Sequence, residues 1–560
     1  MLLRYSTLIL LTAFSISSCG KKISAIDPRP GTAVVAITSD IDNFNPIVST
    51  EAIASQVNSA IFPQIFDLVF DLGEGRLIYR PMLARSWEFE NDQKDVVLHL
   101  RGDVKWQDGM KVTAEDIKYS FSLYADPLVA SHRRHYVENM IFTNGKFDLD
   151  KSITVLDDTT IIFHFSIAYP EQLFHINLEP VPMHIFQYVD RKSLSKNPNN
   201  QAPVSAGPFK LVRWTRQQEV VLGSNPMSTL PYPARLDRVI LRVLTEPTTR
   251  LTELKKGTID MMWPIYPENV KDLQENYPQV RLETLPARGY DYIGWANTDF
   301  KLWNEKRQVK PHPIFGSKKV RQALTYGINR LGIIDGFLGE YGQIAITDFC
   351  PLFRWAVNMN LKPYAYDPVL SRRMLKEEGW EDHDGDGTLD KDGKKFEFTL
   401  HYNAGNARRA YAATIIQDNL KQLGIAVNLS AVEGVVFFGK IAKKEYDAFL
   451  AGFGVGLAID PKDRWGSDLT SPFNNTGFQN KRIDQLIKLA YNVKIDREAA
   501  PFWKEFQAII HEEQPATFLY WFKEIVGINR RLQTTNINIL GTMDQMWDWT
   551  IGTAHGVNLY

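Results

Sequence analysis

Two cysteines in 560 residues, Cys19 and Cys350, are too few for a disulfide-built scaffold. Charge of one sign is also missing. The 64 basic and 65 acidic residues leave a formal net charge of −1, which supplies no field to gather nucleic acid. Beyond the first twenty residues no apolar run approaches the eighteen that a spanning helix needs. There is no H-E-x-x-H, no G-x-S-x-G and no paired glycosidase carboxylates, so no familiar catalytic pattern organises the chain. Internal repeats and low-complexity tracts are absent too. His132 and His135 have a metal-like spacing, but Arg133 and Arg134 between them repel a cation. Gly452, Gly454 and Gly456 form a G-x-G-x-G without a following helix start, which reads as flexible backbone rather than a phosphate cradle.

What is present begins with a leader. Arg4 precedes the apolar run 8–14, and small residues lead to Cys19, the order of a secretion signal over residues 1–18. The segment Ile16-Ser17-Ser18-Cys19 resembles a lipobox, which implies that Cys19 carries a diacylglycerol and opens the mature chain. Residues 19–31, polar and with Pro28 and Pro30, read as a tether. The remainder is too long for one hydrophobic core, so two or three domains are expected, outside the cytoplasm.

The most ordered stretch is 81–124. Val96, Leu98 and Leu100 alternate with polar residues as in a strand, and Val104 with Trp106 continues the alternation. Asp108-Gly109 supplies a turn, and Thr113 stands three residues before Asp116, as in a capping box. Ile117, Phe121 and Tyr124 then follow at helical spacing. Further on, 249–257 reads as a short helix closing on Gly257. A single helix is expected over 319–338, with Val320, Ala323, Leu324, Gly327, Ile328 and Leu331 on one face.

The wording of 81–124, with LARSWE (83–88) and LHLRGDVKWQDGMKVTAEDIKYSF (98–121), resembles the signature of the family 5 extracellular solute-binding proteins, the peptide-type receptors of ABC importers. Similar landmarks recur at Asn45-Pro46, SAGPFKL (205–211), VRQALTYGINR (320–330), Tyr366-Asp367-Pro368, NNTGFQNKRIDQLIKLA (474–490) and PATFLYWF (515–522). The resemblance implies an α/β fold of the periplasmic-binding-protein type (type II, cluster C), with two large lobes and an extra domain around a hinged cleft. Lobe I would comprise 32–66, 203–290 and 520–560, the extra domain 67–202, and lobe III 291–519. It also implies a monomer that binds a peptide or a related small solute and delivers it to a permease. The membrane contact would run through the lipid anchor alone, at the periplasm or cell surface, with no enzyme activity and no required cofactor.

Site residues follow from the same resemblance. Asn45 and Asn297 correspond to positions at the mouth and face of the cleft. Phe453 and Trp465 flank the binding loop, and Asp460 and Arg464 offer polar recognition. Many peptide-binding members carry an Asp where Leu457 stands, to hold the ligand's ammonium, so this chain departs from that pattern. Other solutes, a sensor that serves no transporter, or a hydrolase on the same scaffold remain alternatives. Residues 382–393, DHDGDGTLDKDG, set Asp382, Asp384, Asp386 and Asp390 at positions 1, 3, 5 and 9 of a calcium-type loop, with the Thr388 carbonyl at 7. Gly393 replaces the closing Glu, so a solvated Asp-Gly turn and a structural Ca²⁺ both fit.

Overall fold

The computed structural model describes residues 29–552; the expected leader, Cys19 and most of the expected tether lie outside them. The strand Ala84–Glu90 pairs antiparallel with Asp95–Leu100, and Thr160–His164 and Ile153–Asp157 extend this pair to a four-stranded sheet. Val96, Leu98 and Leu100 are buried as their alternation requires. Val104 and Trp106 form no further strand. Their backbone turns instead, with Trp106 N–H donating to Met110 O at 2.8 Å around Gly109, whose φ of +92° is open to glycine. The helix Ala114–Ala125 starts on the Thr113–Asp116 capping box, where Thr113 N–H donates to Asp116 Oδ2 at 2.9 Å.

The larger sheet has eleven strands. The ten along its path centre on one antiparallel pair, Val280–Trp295 and Ala516–Asn529, with five strands on one side and three on the other. Pairing runs from Val280–Asn529 to Leu285–Glu524, slips, and resumes at Gly289–Phe522. Before the slip the neighbour is Met261–Ile265, which leads through Thr32–Ile37 and Arg238–Val243 into one half of the molecule. After it the neighbour is Ala448–Gly454, which leads to Glu397–Asn403 and Ala426–Val432 in the other half. Two covalently continuous strands therefore join the halves, and the interrupted ladder is where their backbone is least constrained.

The alternation of a strand decides what each half buries. Along the second half of Val280–Trp295, Tyr290 and Tyr292 enter a cluster with Trp465 and Phe506. Ile293 and Trp295 point the other way, to Leu324 and Leu400. In the first half the small sheet and the large one share a single apolar cluster, with Leu98 and Phe121 beside Val35 and Leu241. The segment expected as an extra domain thus shares a common core with its neighbour.

Two helix expectations resolve differently. The helix Pro247–Lys256 does end on Gly257, at φ +73°. The expected helix over 319–338 is broken: Lys318–Tyr326 stops at Gly327, and Asn329 starts a new turn by accepting from Gly332 N–H at 2.9 Å. A side chain that can cap competes with helix continuation. The change of direction leaves Leu331, expected inside, 56% exposed.

A hairpin of the extra domain, Phe66–Asp71 with Arg76–Pro81, reaches the far half. Phe70 meets Phe353 with ring centroids 6.0 Å apart, and ion pairs join Arg497 to Glu74 and Lys494 to Asp92. The halves are in contact along this seam.

Candidate functional site

In the far half, Phe453 lies beside Tyr290 because Ala448–Gly454 pairs in register with Val280–Trp295. The chain then leaves the sheet through residues 455–461 and enters the short helix Lys462–Trp465. Facing it is the segment 348–353, whose Phe353 touches the hairpin. Between the two runs lies a cavity of about 160 Å³, lined among others by Asp348, Cys350, Phe353, Phe453, Asp460 and Arg464.

Arg464 is only 5% exposed. Its guanidinium carbon stands 4.2 Å from the Phe453 ring centroid, 4.5 Å from Tyr292, and 5.2 Å from both Tyr290 and Trp465. Ring faces attract the charge but offer the N–H groups no in-plane lone pair. Nε, Nη1 and Nη2 have no hydrogen-bond partner among the described residues, and neither do Asp348 Oδ1 or the Tyr290 hydroxyl. The other Asp348 oxygen accepts from Trp465 Nε1. A buried polar group left unpaired costs about 1–3 kcal/mol. Several around one cavity call for a polar occupant.

Electrostatics separate the two ends of the site. Burial raises the Asp348 carboxyl above its usual range, against the pull of Arg464 and the Trp465 bond. Burial also pushes the Cys350 thiol up to about 11, so it is an uncharged wall. Asp460 accepts from the Tyr491 hydroxyl and, at 3.2 Å, from Lys462 N–H. Burial, and after it the facing Asp496 and Asp460 of the far half, raises the carboxyl of Glu171 to about 8.

The structure brings together Phe453, Asp460 and Arg464, and the Trp465 ring lies against the Arg464 guanidinium. Leu457 stands between the lining residues Gly456 and Ala458, but its own side chain packs into the apolar cluster. Asn45 and Asn297 do not line this cavity. Asn45 is buried, donating to Asn200 Oδ1 at 3.1 Å and accepting from Ile47 N–H at 3.0 Å. Asn297 donates to the carbonyls of Trp295, Thr476 and Pro515 and so ties three segments together. The sequence marks Tyr290 only through the alternating aromatics of GYDYIGW (289–295), and TDFCPLF (347–353) gives no signal for Asp348. Gly452 is no flexible element: a Cβ there would fall 2.1 Å from Arg409 Nη2 and 2.4 Å from Asp291 Oδ1.

In the Asp-rich loop, Asp382, Asp384 and Asp390 can each present an oxygen within 4.8 Å of one another. Each of these carboxylates, and that of Asp386, has a donor within the loop or beside it. Lys395 Nζ pairs with Asp384 at 2.5 Å and Asp386 at 2.7 Å, and His383 Nδ1 lies 3.0 Å from Asp390. Asp382 accepts from the N–H groups of Gly385 and Gly387 at 2.8 and 2.9 Å, and Thr388 N–H donates to Asp386. These are bonds of the kind found in Asp-Gly turns.

Known proteins share this architecture. The oligopeptide-binding protein AppA of Bacillus subtilis is 27% identical over 518 residues, covering 90% of this chain and 89% of that one. Heme-binding protein A of Haemophilus influenzae is 24% identical over 531 residues, 91% of each chain. The solved structure of Bacillus subtilis AppA in complex with a nonapeptide matches with a TM-score of 0.73 at 25% identity, covering 94% of this chain and 99% of that one. A model of the bacterial extracellular solute-binding proteins, family 5 (middle), matches residues 79–475. With that match spanning most of its length, the chain belongs to the family 5 bacterial extracellular solute-binding proteins.

Proposed function

We propose that the protein is the receptor of an ABC importer, anchored through a diacylglycerol on Cys19, which captures a peptide between its halves and presents it to the permease. It works as a monomer and by binding alone. The observation that carries this reading is the cavity with a buried, unpartnered guanidinium, set where the extra domain's hairpin meets the far half. A ligand that contacts both sides stabilises the closed arrangement, and a permease can then recognise occupancy as shape. The oligopeptide named for the Bacillus subtilis relative supports a peptide as the solute class.

Native mass spectrometry of protein purified without refolding tests the reading. A ladder of peptide masses released by denaturation is the expected result, and a single non-peptide mass would replace the solute class. Cys19→Ala should move the protein from the membrane to the soluble fraction; retention on membranes would remove the lipid anchor from the proposal. Turnover of released peptides by the purified protein would replace the receptor with an enzyme.

A further inference from the structure

The polar atoms around the cavity have a definite sense. Arg464 supplies three nitrogens that lack partners, and Asp348 supplies one acceptor oxygen that lacks a donor. Arg464 is 5% exposed and Asp348 8%, so bulk water does not satisfy them. A guanidinium is a planar fork that matches a carboxylate with two parallel bonds. A phosphate dianion against Arg464 would also meet Asp348, on which Arg464 already pulls, and so fits less well than a single carboxylate. The complementary group carries one negative charge with an N–H close by. An ammonium placed against the Arg464 nitrogens would be repelled by them and would leave them without an acceptor.

We propose that the cavity takes the carboxyl end of a short peptide, with the ligand's free carboxylate accepting from Arg464 and the N–H of its last residue donating to Asp348 Oδ1. This rests on the peptide-receptor reading and adds the direction of binding. The rings of Phe453, Tyr290, Tyr292 and Trp465 keep the guanidinium charged and in place while no ligand is bound. The size agrees. At about 10–15 Å³ per water-sized group, 160 Å³ holds on the order of ten non-hydrogen atoms, the scale of a dipeptide. Leu457 fits the same account, since an inward carboxylate needs no acid at that position.

The test is calorimetric titration of the full-length protein with a panel of dipeptides and tripeptides, each as free acid and as C-terminal amide. Free acids are expected to bind at least about 30-fold more tightly than their amides, the scale of losing one partner of a buried charged pair. Arg464→Met should abolish that preference. Because it removes a buried guanidinium that has no hydrogen-bond partners while keeping an apolar stem among the rings, it should also leave the ligand-free melting temperature unchanged or raised. Arg464→Lys should retain weakened discrimination, a point charge replacing the fork. Equal binding of acids and amides would overturn the inference while the receptor reading stands. Failure of every peptide to bind the wild type would overturn both and leave ordered water as the occupant. A lower melting temperature for ligand-free Arg464→Met with the acid preference intact would make Arg464 a packing residue and likewise overturn it.

Discussion

Gly75, at the turn of the extra domain's hairpin, packs against the backbone of Leu352 in the far half so closely that a Cβ would sit 2.3 Å from the Leu352 carbonyl oxygen. Its φ is +70°, a conformation that costs a side-chain-bearing residue about 1–2 kcal/mol. Glycine meets both demands, and Leu352 is next to Phe353 in the cavity wall. Gly75→Ala is therefore expected to hold the seam apart and weaken ligand capture by about tenfold. Titration of the ligand identified by mass spectrometry checks this, with small-angle scattering to report the wider particle. Unchanged affinity and dimensions would mean that hairpin contact plays no part in closure.

On the opposite face of the same strand from Tyr290 and Tyr292, Asp291 is fully buried. It accepts from Arg408 Nε at 2.8 Å, from Arg409 Nη2 at 3.1 Å and from the Tyr520 hydroxyl at 3.1 Å. Burial raises its carboxyl, but the two arginines win and hold it below the usual range. Asp291→Asn leaves buried Arg409 and half-buried Arg408 without this counter-charge and should cost about 3–5 kcal/mol. Urea unfolding measures the loss. The acid-over-amide preference in ligand binding should survive, because the network faces away from the cavity.

How far the chain could be read depended on how local each feature is. The segment 81–124 was legible because its strand, Gly109 turn and Thr113–Asp116 cap are each made by residues within a few positions of one another. Gly257 was legible for the same reason. The break at 327–329 was not, since an apolar face continues across it and only the Asn329 cap opposes the helix. Arg464 could be placed beside the binding loop, but its lack of partners depends on Tyr290, Tyr292 and Asp348, brought in from more than a hundred residues away. Asn297 kept its landmark position yet turned out to be a tie between three segments, a role fixed by backbone carbonyls that no motif encodes.

The Asp-rich loop gives a prediction about metal. Lys395 bridges Asp384 and Asp386, and Asp382 is occupied by two backbone donors. We expect millimolar Ca²⁺ or its chelation with EGTA to leave the melting temperature unchanged in the wild type. Lys395→Ala removes the internal cation and should make stability respond to Ca²⁺, as three carboxylates then seek another counter-charge. A clear calcium shift in the wild type would instead assign Asp382, Asp384 and Asp390 as ligands.

Glu171 links pH to the seam. Burial first, then the facing Asp496 and Asp460, raise its carboxyl from 4.5 to about 8. Asp496 is also raised by burial, partly offset by Arg76. The closed form therefore holds a proton that the opened or unfolded chain releases at neutral pH. A state that binds the extra proton loses stability as pH rises, through the window from the ordinary carboxylate value up to about 8. Below that window the carboxyl is protonated in both states and contributes no pH dependence, and above it the loss is complete. Nearby Tyr79 and Tyr169 are both pushed upward by burial, so neither hydroxyl gives up a proton in this range. Melting temperature and ligand affinity should thus decline between about pH 5 and pH 8, and Glu171→Gln, which stays neutral throughout, should flatten much of that decline. Scanning calorimetry across the range reads the result. An identical slope in the variant would show that Glu171 is already ionised in the closed form, with water rather than a proton offsetting the two aspartates.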